Sequence, residues 1–154
     1  MSDNILVIPK VSIIIPIYNT APFLRETLDS ICNQSLKELD IILINDGSTD
    51  ESPDIIEEYA LRDHRIRYMT QPNQGQSVAR NNGLQLATGK YIYFMDSDDK
   101  LDTDALKECY NICEKDKLDF VFFDATVISA PDTSNTFTYC RKGIINENKL
   151  WNGM

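Results

Sequence analysis

The feature that most constrains the fold is an alternation of short β-branched runs with segments of helical periodicity. Val11–Ile17 is a mainly β-branched run of strand length, as is typical of a strand buried on both faces. Further strands are predicted at 40–45, 66–70, 91–95 and 119–123, with amphipathic helices between them. This order predicts one α/β domain with a Rossmann-like, open and mainly parallel sheet that carries helices on both faces.

Turn and cap residues mark where the helices begin and end. Thr20 is placed to cap the first helix. The third helix is predicted at 77–87, closed by Gly89 in the left-handed conformation that only glycine adopts at little cost. A further strand or hairpin is expected around 127–139.

The charge balance excludes one class of partner. The chain has 154 residues, with 15 basic and 24 acidic side chains and a net charge of −9. Nucleic-acid binding requires clustered lysine and arginine, so a nucleic acid is not an expected partner. A nucleotide ligand remains compatible with this charge, because a divalent cation held by acidic residues can neutralise a diphosphate.

Signals for secretion, for a membrane span and for zinc binding are not found in the sequence. The amino terminus lacks a basic start followed by a long apolar stretch, and the apolar runs are too short to span a bilayer. We therefore expect a cytoplasmic protein, with any peripheral association at the inner membrane face arising in the full-length protein, outside this sequence. Four cysteines and the single His64 form no zinc-type spacing, which favours reduced thiols.

Polar residues follow three of the predicted strands. Tyr18 and Asn19 follow the first, Asp46 follows the second, and Asp-Ser-Asp-Asp at 96–99 follows the fourth. Ligands of open parallel sheets bind beyond the carboxyl ends of the strands, so these groups are expected to share one crevice.

The acidic cluster at 96–99 is the sharpest of these signals. Three carboxylates within four residues repel one another unless a cation offsets their charge. A solvated turn, with Asp98 or Asp99 capping the next helix, explains the cluster equally well when it is taken alone. Together with the other two strand ends, the cluster favours a metal-assisted binding site.

Four ordered motifs extend over about residues 11–125. They are VSIIIPIYN from Val11, NDGSTD from Asn45, GQSVARNNG from Gly75 and GKYIYFMDSDD from Gly89. In this order they resemble the large inverting GT-A glycosyltransferase family, family 2, which includes many bacterial enzymes of polysaccharide biosynthesis. The resemblance implies a GT-A fold and a nucleotide-sugar donor, with a saccharide or lipid-linked acceptor.

The resemblance also implies roles for individual residues. Pro16, Tyr18 and Asn19 are expected to line the nucleoside pocket, with Tyr18 beside the base. Asp46 is expected to accept a hydrogen bond from the base, which suits the N3–H of uracil and therefore a UDP-sugar. Arg80 is expected near the base or the diphosphate.

The last motif carries the implied metal site. Asp96, Ser97 and Asp98 match the family's Asp-x-Asp motif, so Asp96 is expected to face the ribose and, with Asp98, to belong to the metal site. Asp98 is expected to ligate Mn²⁺ or Mg²⁺, which bridges the diphosphate. Asp99 is expected to support this site or to cap a helix. Asn45 departs from the two consecutive acids common in the family, but Asp46 keeps the second position.

The catalytic base is not identified. Inverting transfer requires a group that takes the proton of the acceptor hydroxyl, and in the family this carboxylate lies well downstream of the Asp-x-Asp motif. Glu147 is acidic but lacks the family context. We therefore expect residues 1–154 to be a nucleotide-sugar-binding domain cut from a longer enzyme, and to be inactive alone.

Two alternative functions remain open. A nucleotidyltransferase shares the sheet and the metal, although such enzymes usually carry a basic glycine-rich loop after the first strand, which Tyr18 to Pro22 does not provide. A nucleotide-binding module without catalysis is compatible with the unidentified base. P-loop NTPases and dinucleotide-binding dehydrogenases are excluded, because neither glycine motif is present with its required spacing.

Overall fold

The computed structural model describes residues 8–123, which form a four-stranded sheet in strict strand–helix alternation. The predicted strand or hairpin at 127–139 and Glu147 lie outside the described residues. In chain order the elements are β1 (Val11–Ile17), α1 (Ala21–Cys32), β2 (Leu39–Asn45), α2 (Ser52–Arg62), β3 (Ile66–Thr70), α3 (Gln76–Leu86), β4 (Tyr91–Phe94) and α4 (Ala105–Asp116).

The sheet is open and parallel, as the sequence predicts. Its strand order is β3-β2-β1-β4, and every neighbouring pair is parallel. Central β1 places Ile14 opposite Ile42 of β2 on one side and opposite Phe94 of β4 on the other. The chain winds outward from β1 through β2 and β3 and then returns to add β4 on the opposite side. The winding direction therefore reverses between β1 and β4, which is where open α/β sheets bind ligands.

Helices cover both faces of the sheet, which confirms the prediction. On one face, β1 packs against α1, α2 and α4 in the larger apolar cluster. On the other face, Ile14, Ile42 and Ile44 pack against Ala79 of α3. The buried positions of α1 recur at helical spacing, so the helix presents one apolar face to the sheet; they are Leu24, Thr27, Leu28 and Ile31.

Gly83 lets α3 lie unusually close to the sheet. A Cβ atom at Gly83 would come within 2.4 Å of Ile14 Cγ2 and 3.3 Å of Ile44 Cγ1. Both atoms belong to fully buried side chains, which have little room to move. The absence of a side chain at this position therefore sets the distance between α3 and the strands.

Pro16 ends the hydrogen-bond ladder between β1 and β4. The last bond of that ladder runs from Met95 N to Ile14 O, while Asp46 N bonds Ile17 O on the β2 side. Since successive residues of a parallel strand alternate between neighbours, Pro16 faces β4 as Ile14 does. Proline has no N–H to donate, and β4 ends at Phe94. The two strands therefore part at their carboxyl ends and leave an opening.

The predicted fifth strand at 119–123 is wrong. This segment forms no strand, and within residues 8–123 the sheet ends at β4. Phe120 and Phe122 are 60% and 74% exposed, and their rings contact each other with centroids 5.3 Å apart. Phe123 packs on Tyr93 at 5.5 Å. Aromatic residues fit a pleated surface well, but here their rings contact one another and the segment does not pair with the sheet.

The helix-closing role predicted for Gly89 is also wrong. Among the described glycines, only Gly47 and Gly75 have positive φ. Helix α3 ends at Leu86, and its cap Ala87 has extended backbone with φ −65° and ψ 135°. A Cβ atom at Gly89 would lie 2.4 Å from Ser12 N. The glycine is therefore needed for a close approach to β1.

Thr20 occupies the predicted cap position of α1, but its side chain makes no capping bond. The backbone N–H of Ala21 instead donates to Asp50 Oδ2 at 3.0 Å.

None of the helices within residues 8–123 combines the length and the hydropathy that a bilayer crossing requires.

Candidate functional site

A cleft of about 500 Å³ opens where β1 and β4 part. Four segments that are distant in sequence meet there, at the carboxyl ends of β1, β2 and β4 and at the start of α3. Its lining residues are Pro16, Ile17, Tyr18, Thr20, Asp46, Asn73, Gly75, Gln76, Asp96, Ser97 and Asp98. Six of the eight residues predicted for the site therefore line one cleft, and Asn19 and Arg80 are the two that do not.

Asp96 lies in the cleft, fixed by two donors from α3. Arg80 Nη2 donates to Asp96 Oδ1 at 2.5 Å, and Gln76 Nε2 donates to the same oxygen at 2.9 Å. Oδ2 of Asp96 remains available to a ligand, because both of these bonds go to Oδ1. Arg80 thus acts on the cleft through Asp96, although its Nε is buried without a hydrogen-bond partner in the described region.

Asp98 is exposed at the rim of the cleft, and Asp99 next to it is perturbed by its neighbours. Partial loss of hydration, followed by repulsion from Asp98 and Asp96, raises the pKa of Asp99 above its ordinary value. Negative charge is therefore concentrated at this strand end. Such an accumulation favours a bound cation.

Asp46 is buried at the floor of the cleft and holds the 71–75 loop. It is 3% exposed. Its Oδ1 accepts from Gln71 Nε2 at 2.8 Å and from Gln74 N at 2.9 Å, and its Oδ2 accepts from Gly75 N at 2.9 Å. Three of the roughly four acceptor positions of the carboxylate are thus filled by the protein.

The loop held by Asp46 requires a glycine beside it. Gly47 has φ 75°, and a Cβ atom there would come within 2.9 Å of Asn73 N. Glycine therefore permits both the backbone conformation and the close approach of the 71–75 loop. The same loop delivers Gly75, φ 87°, as the residue that precedes α3.

Asn19 forms hydrogen bonds with the turn after β2. It has φ 53°, and its Oδ1 accepts from Thr49 N at 2.8 Å while its own N–H donates to Ser48 Oγ at 3.1 Å. These bonds tie the end of β1 to the turn before α2. Asn19 therefore shapes the cleft wall, and Tyr18 beside it, 49% exposed, is the residue that faces the opening.

Ser97 is placed by α1. It is 6% exposed, and its backbone carbonyl accepts from Thr27 Oγ1 at 2.9 Å. This bond anchors the turn that carries both Asp96 and Asp98 to the helix behind it.

The donor set fits a hard divalent cation shared with a ligand. Within residues 8–123, no three side chains of the His, Cys, Asp and Glu types are grouped as a metal site. Asp96 and Asp98 nevertheless line one cleft. Mg²⁺ in nucleotide sites is usually held by one or two carboxylates, with phosphate oxygens and water completing the shell. Two carboxylates are therefore sufficient.

A second cleft, of about 370 Å³, lies between β4, α4 and the 119–123 segment. It is lined mainly by apolar groups, among them Tyr91, Tyr93, Leu106, Tyr110, Phe120 and Phe123. It includes Val11 and Lys90, at the amino ends of β1 and β4, away from the ligand-binding ends of the strands. The acidic cleft is therefore the candidate site.

Gln71, Asn82 and Gln76 were not predicted as site residues. Gln71 directly follows β3, so the rule that polar residues follow strands could have identified it. The sequence carries no comparable signal for Asn82 or Gln76, since both are polar residues of an amphipathic helix.

Comparisons with known proteins agree with this architecture. The family model "Glycosyl transferase family 2" matches residues 12–152. The uncharacterized glycosyltransferase EpsJ of Bacillus subtilis is 46% identical over 114 residues, which are 74% of this chain and 33% of EpsJ.

Solved structures give the same result. Staphylococcus aureus TarS 1–349 in complex with UDP-GlcNAc matches with a TM-score of 0.65 and 29% identity, over 69% of this chain and 31% of TarS 1–349. The mannosyltransferase PcManGT of Pyrobaculum calidifontis, in complex with GDP-Man and Mn²⁺, matches with a TM-score of 0.64 and 27% identity, over 68% of this chain and 32% of PcManGT.

These matches confirm the GT-A fold and the resemblance found in the sequence. The chain spans about a third of the length of EpsJ and of both solved enzymes. The family model extends over most of the chain, from residue 12 to residue 152. The chain belongs to glycosyl transferase family 2.

Proposed function

We propose that this chain is the donor-binding domain of an enzyme that transfers a sugar from a nucleotide diphosphate, a UDP-sugar, to a saccharide or lipid-linked acceptor. The transfer is inverting and requires Mn²⁺ or Mg²⁺. The observation that carries the proposal is the convergence of Asp96, Asp98, Asp46 and Tyr18 in one cleft at the point where the winding of the sheet reverses.

The acidic rim supports a metal-bridged diphosphate. A divalent cation would offset the negative charge that develops on the diphosphate as the sugar–phosphate bond breaks. Asp98, exposed at the rim, is the more accessible ligand. Asp96 Oδ1 is held by Arg80 and Gln76, which leaves Oδ2 for the cation or the ribose. The complex of PcManGT with GDP-Man and Mn²⁺ is consistent with this arrangement.

The beginning of α3 supports binding of phosphate. Gly75 and Gln76 line the cleft, and they precede and open the helix. The amino end of a helix carries partial positive charge and free N–H groups, both of which favour anions. No atom lies within 4 Å of a Cβ built on Gly75, so a phosphate has room to approach the backbone there.

The side chains at the floor and wall of the cleft favour uracil as the base. Tyr18 offers an exposed ring for contact with a planar base. Asp46 offers a carboxylate edge, which can only accept hydrogen bonds, and uracil presents the N3–H donor that such an edge requires. TarS, crystallised with UDP-GlcNAc, provides a precedent for a uridine donor on this fold.

Titration with UDP in the presence and absence of Mn²⁺ tests the proposal. We expect binding to the 154-residue chain that depends on the metal and that weakens more than about tenfold in Asp98→Asn, because this change removes the negative charge of the proposed metal ligand. Isothermal titration calorimetry measures both effects.

Asp99→Asn is the matched control. It removes the same charge at the next residue, and the side chain of Asp99 does not line the cleft. We expect a much smaller effect there. UDP binding that is equally tight without metal and in Asp98→Asn would refute the metal-bridged site.

A further inference from the structure

We infer that Gln71 and Asn82 are positioning residues that set the base selectivity of the cleft by fixing how many hydrogen bonds Asp46 can still accept. Asn82 Nδ2 donates to Gln71 Oε1 at 2.6 Å, and Gln71 Nε2 donates to Asp46 Oδ1 at 2.8 Å. This inference rests on the proposed nucleotide-binding function and specifies which base the site accepts.

The polarity of this chain of side chains is forced by its inner end. Asp46 receives two further bonds from backbone N–H groups, so its carboxylate acts as an acceptor. Gln71 must then turn its NH₂ group towards Asp46 and its oxygen towards Asn82. Asn82 must in turn present its own NH₂ group. One arrangement of both amides satisfies every partner.

The surroundings hold this arrangement in place. Gln71 is 6% exposed, and its backbone N–H donates to Asn45 O at 2.9 Å, so neither its position nor its amide is free to reorient in water. Asn82 is delivered by α3, which Gly83 allows to pack directly on Ile14. Three elements of the fold thus converge on one carboxylate.

The number of acceptor positions left on the Asp46 carboxylate determines which base it can bind. Oδ1 of Asp46 is saturated by Gln71 Nε2 and Gln74 N, and Oδ2 holds Gly75 N and keeps one position. Uracil presents a single N–H between two carbonyl groups and needs one acceptor. Guanine presents two adjacent donors on its pairing edge and needs two. Cytosine presents a lone pair at N3, which a carboxylate repels. The saturated Oδ1 therefore favours uracil over guanine, and the carboxylate itself disfavours cytosine.

The variant that tests this inference is Asn82→Asp, which keeps the shape of the side chain and reverses its polarity. A carboxylate at position 82 competes with Asp46 for the one NH₂ group of Gln71, and each time Gln71 rotates towards position 82 it withdraws its donor from Asp46. Oδ1 gains a free position but meets the Gln71 oxygen. Asn81→Asp is the control, because it adds the same charge on an exposed neighbouring residue of α3.

The measurement is the ratio of dissociation constants for UDP, CDP and GDP with Mn²⁺ present, together with the melting temperature of each variant. We expect the wild-type chain to prefer UDP. In Asn82→Asp the preference for UDP over GDP should fall by about tenfold relative to Asn81→Asp, the size of one hydrogen bond to a charged group, while the preference for UDP over CDP is maintained. A purely structural role would lower the melting temperature and leave the ratios unchanged.

The outcomes distinguish a failure of the positioning role from a failure of the proposed function. Preference for UDP that is identical in Asn82→Asp and Asn81→Asp overturns the positioning role and leaves donor binding intact. A wild-type chain that binds none of the three nucleotides overturns the proposed function and, with it, this inference. Should Asn82→Asp fail to fold, Asn82→Ala removes the donor that holds the Gln71 oxygen without adding a charge, and it is judged by the same ratios.

Discussion

Asp40 provides the strongest test of how the sheet is held together. It is 5% exposed near the amino end of β2, at the end of the strand opposite the acidic cleft. Its carboxylate accepts from Ser12 Oγ at 2.8 Å, from Arg67 Nη2 at 2.7 Å and from Thr88 Oγ1 at 2.9 Å. These partners belong to β1, β3 and the loop after α3, so one carboxylate joins four parts of the fold.

We expect Asp40→Asn to destabilise the chain by about 3 kcal/mol. The amide keeps the shape, but one of its two ends becomes an NH₂ group that faces donors, and the charge that pairs with Arg67 is lost. Removing one partner of a buried ion pair costs about 3–5 kcal/mol. The lower end applies because the Arg67 side chain is 45% exposed and can regain water.

Urea unfolding measures this change. With a slope of about 2 kcal/mol/M, typical of a small domain, the midpoint should fall by about 1.5 M at pH 7. Asp54→Asn is the control, since Asp54 is exposed in the first turn of α2, and surface changes of this kind stay within about 0.5 kcal/mol.

The pH dependence gives a second, independent check. Burial alone would raise the pKa of Asp40, but hydrogen bonds from Ser12, Arg67 and Thr88 outweigh it, and the net pKa is lowered. A lowered pKa in the folded state means that the contribution is complete above the unfolded value of about 3.9 and is lost as the pH falls through the folded value. The gap between wild type and Asp40→Asn should therefore narrow below about pH 4.

Coinciding midpoints at pH 7, or a gap that stays constant into acid, would refute this reasoning. The first result would mean that the network adds nothing beyond what water provides. The second would mean that the loss has a steric origin and does not depend on the carboxylate charge.

Two further substitutions probe the packing of the helices. Gly83→Ala places a Cβ atom 2.4 Å from Ile14 Cγ2. Overpacking costs about 1–3 kcal/mol, which exceeds the gain of about 1 kcal/mol in helix propensity, so thermal melting should show a net loss of stability. Asn81→Ala, on the exposed side of α3, should show no such loss. Tyr59→Phe removes the hydroxyl that donates to Asp29 Oδ1 at 2.7 Å, and urea unfolding should show a loss of about 1 kcal/mol. An unchanged stability in either variant would contradict the contact that it tests.

Local patterns were sufficient to predict the strands and helices of the sheet. β1 and β3 have the predicted bounds, and β2 and β4 differ from prediction by one residue at one end. These strands are buried runs with turn residues on both sides, so short-range sequence defines them. Within residues 8–123, β4 is an edge of the sheet and could pair with a further strand. The prediction for 119–123 was wrong because a strand must also lie aligned with that edge, and no local pattern reports this alignment.

The site was predicted as a set of strand ends, and this is the level at which sequence is informative. Parallel strands bring their carboxyl ends together, which correctly placed Asp46, Asp96 and Asp98 in one cleft. Which partners each side chain takes depends on distances between elements. Asn19 bonding the Thr49 turn and Asn82 reaching Gln71 both depend on such distances. Glycines such as Gly83 set these distances between elements, and the effect of a glycine on packing becomes visible only in three dimensions.

The proline in β1 has a consequence for how the lining of this cleft can change. Parallel strands tend to extend their ladder for as long as donors and acceptors remain aligned. Because Pro16 supplies no donor towards β4, the gap beside it is maintained by the main chain and does not depend on which side chains surround it. Side chains around the gap are thus free to vary in order to recognise different ligands, while the opening that admits those ligands persists.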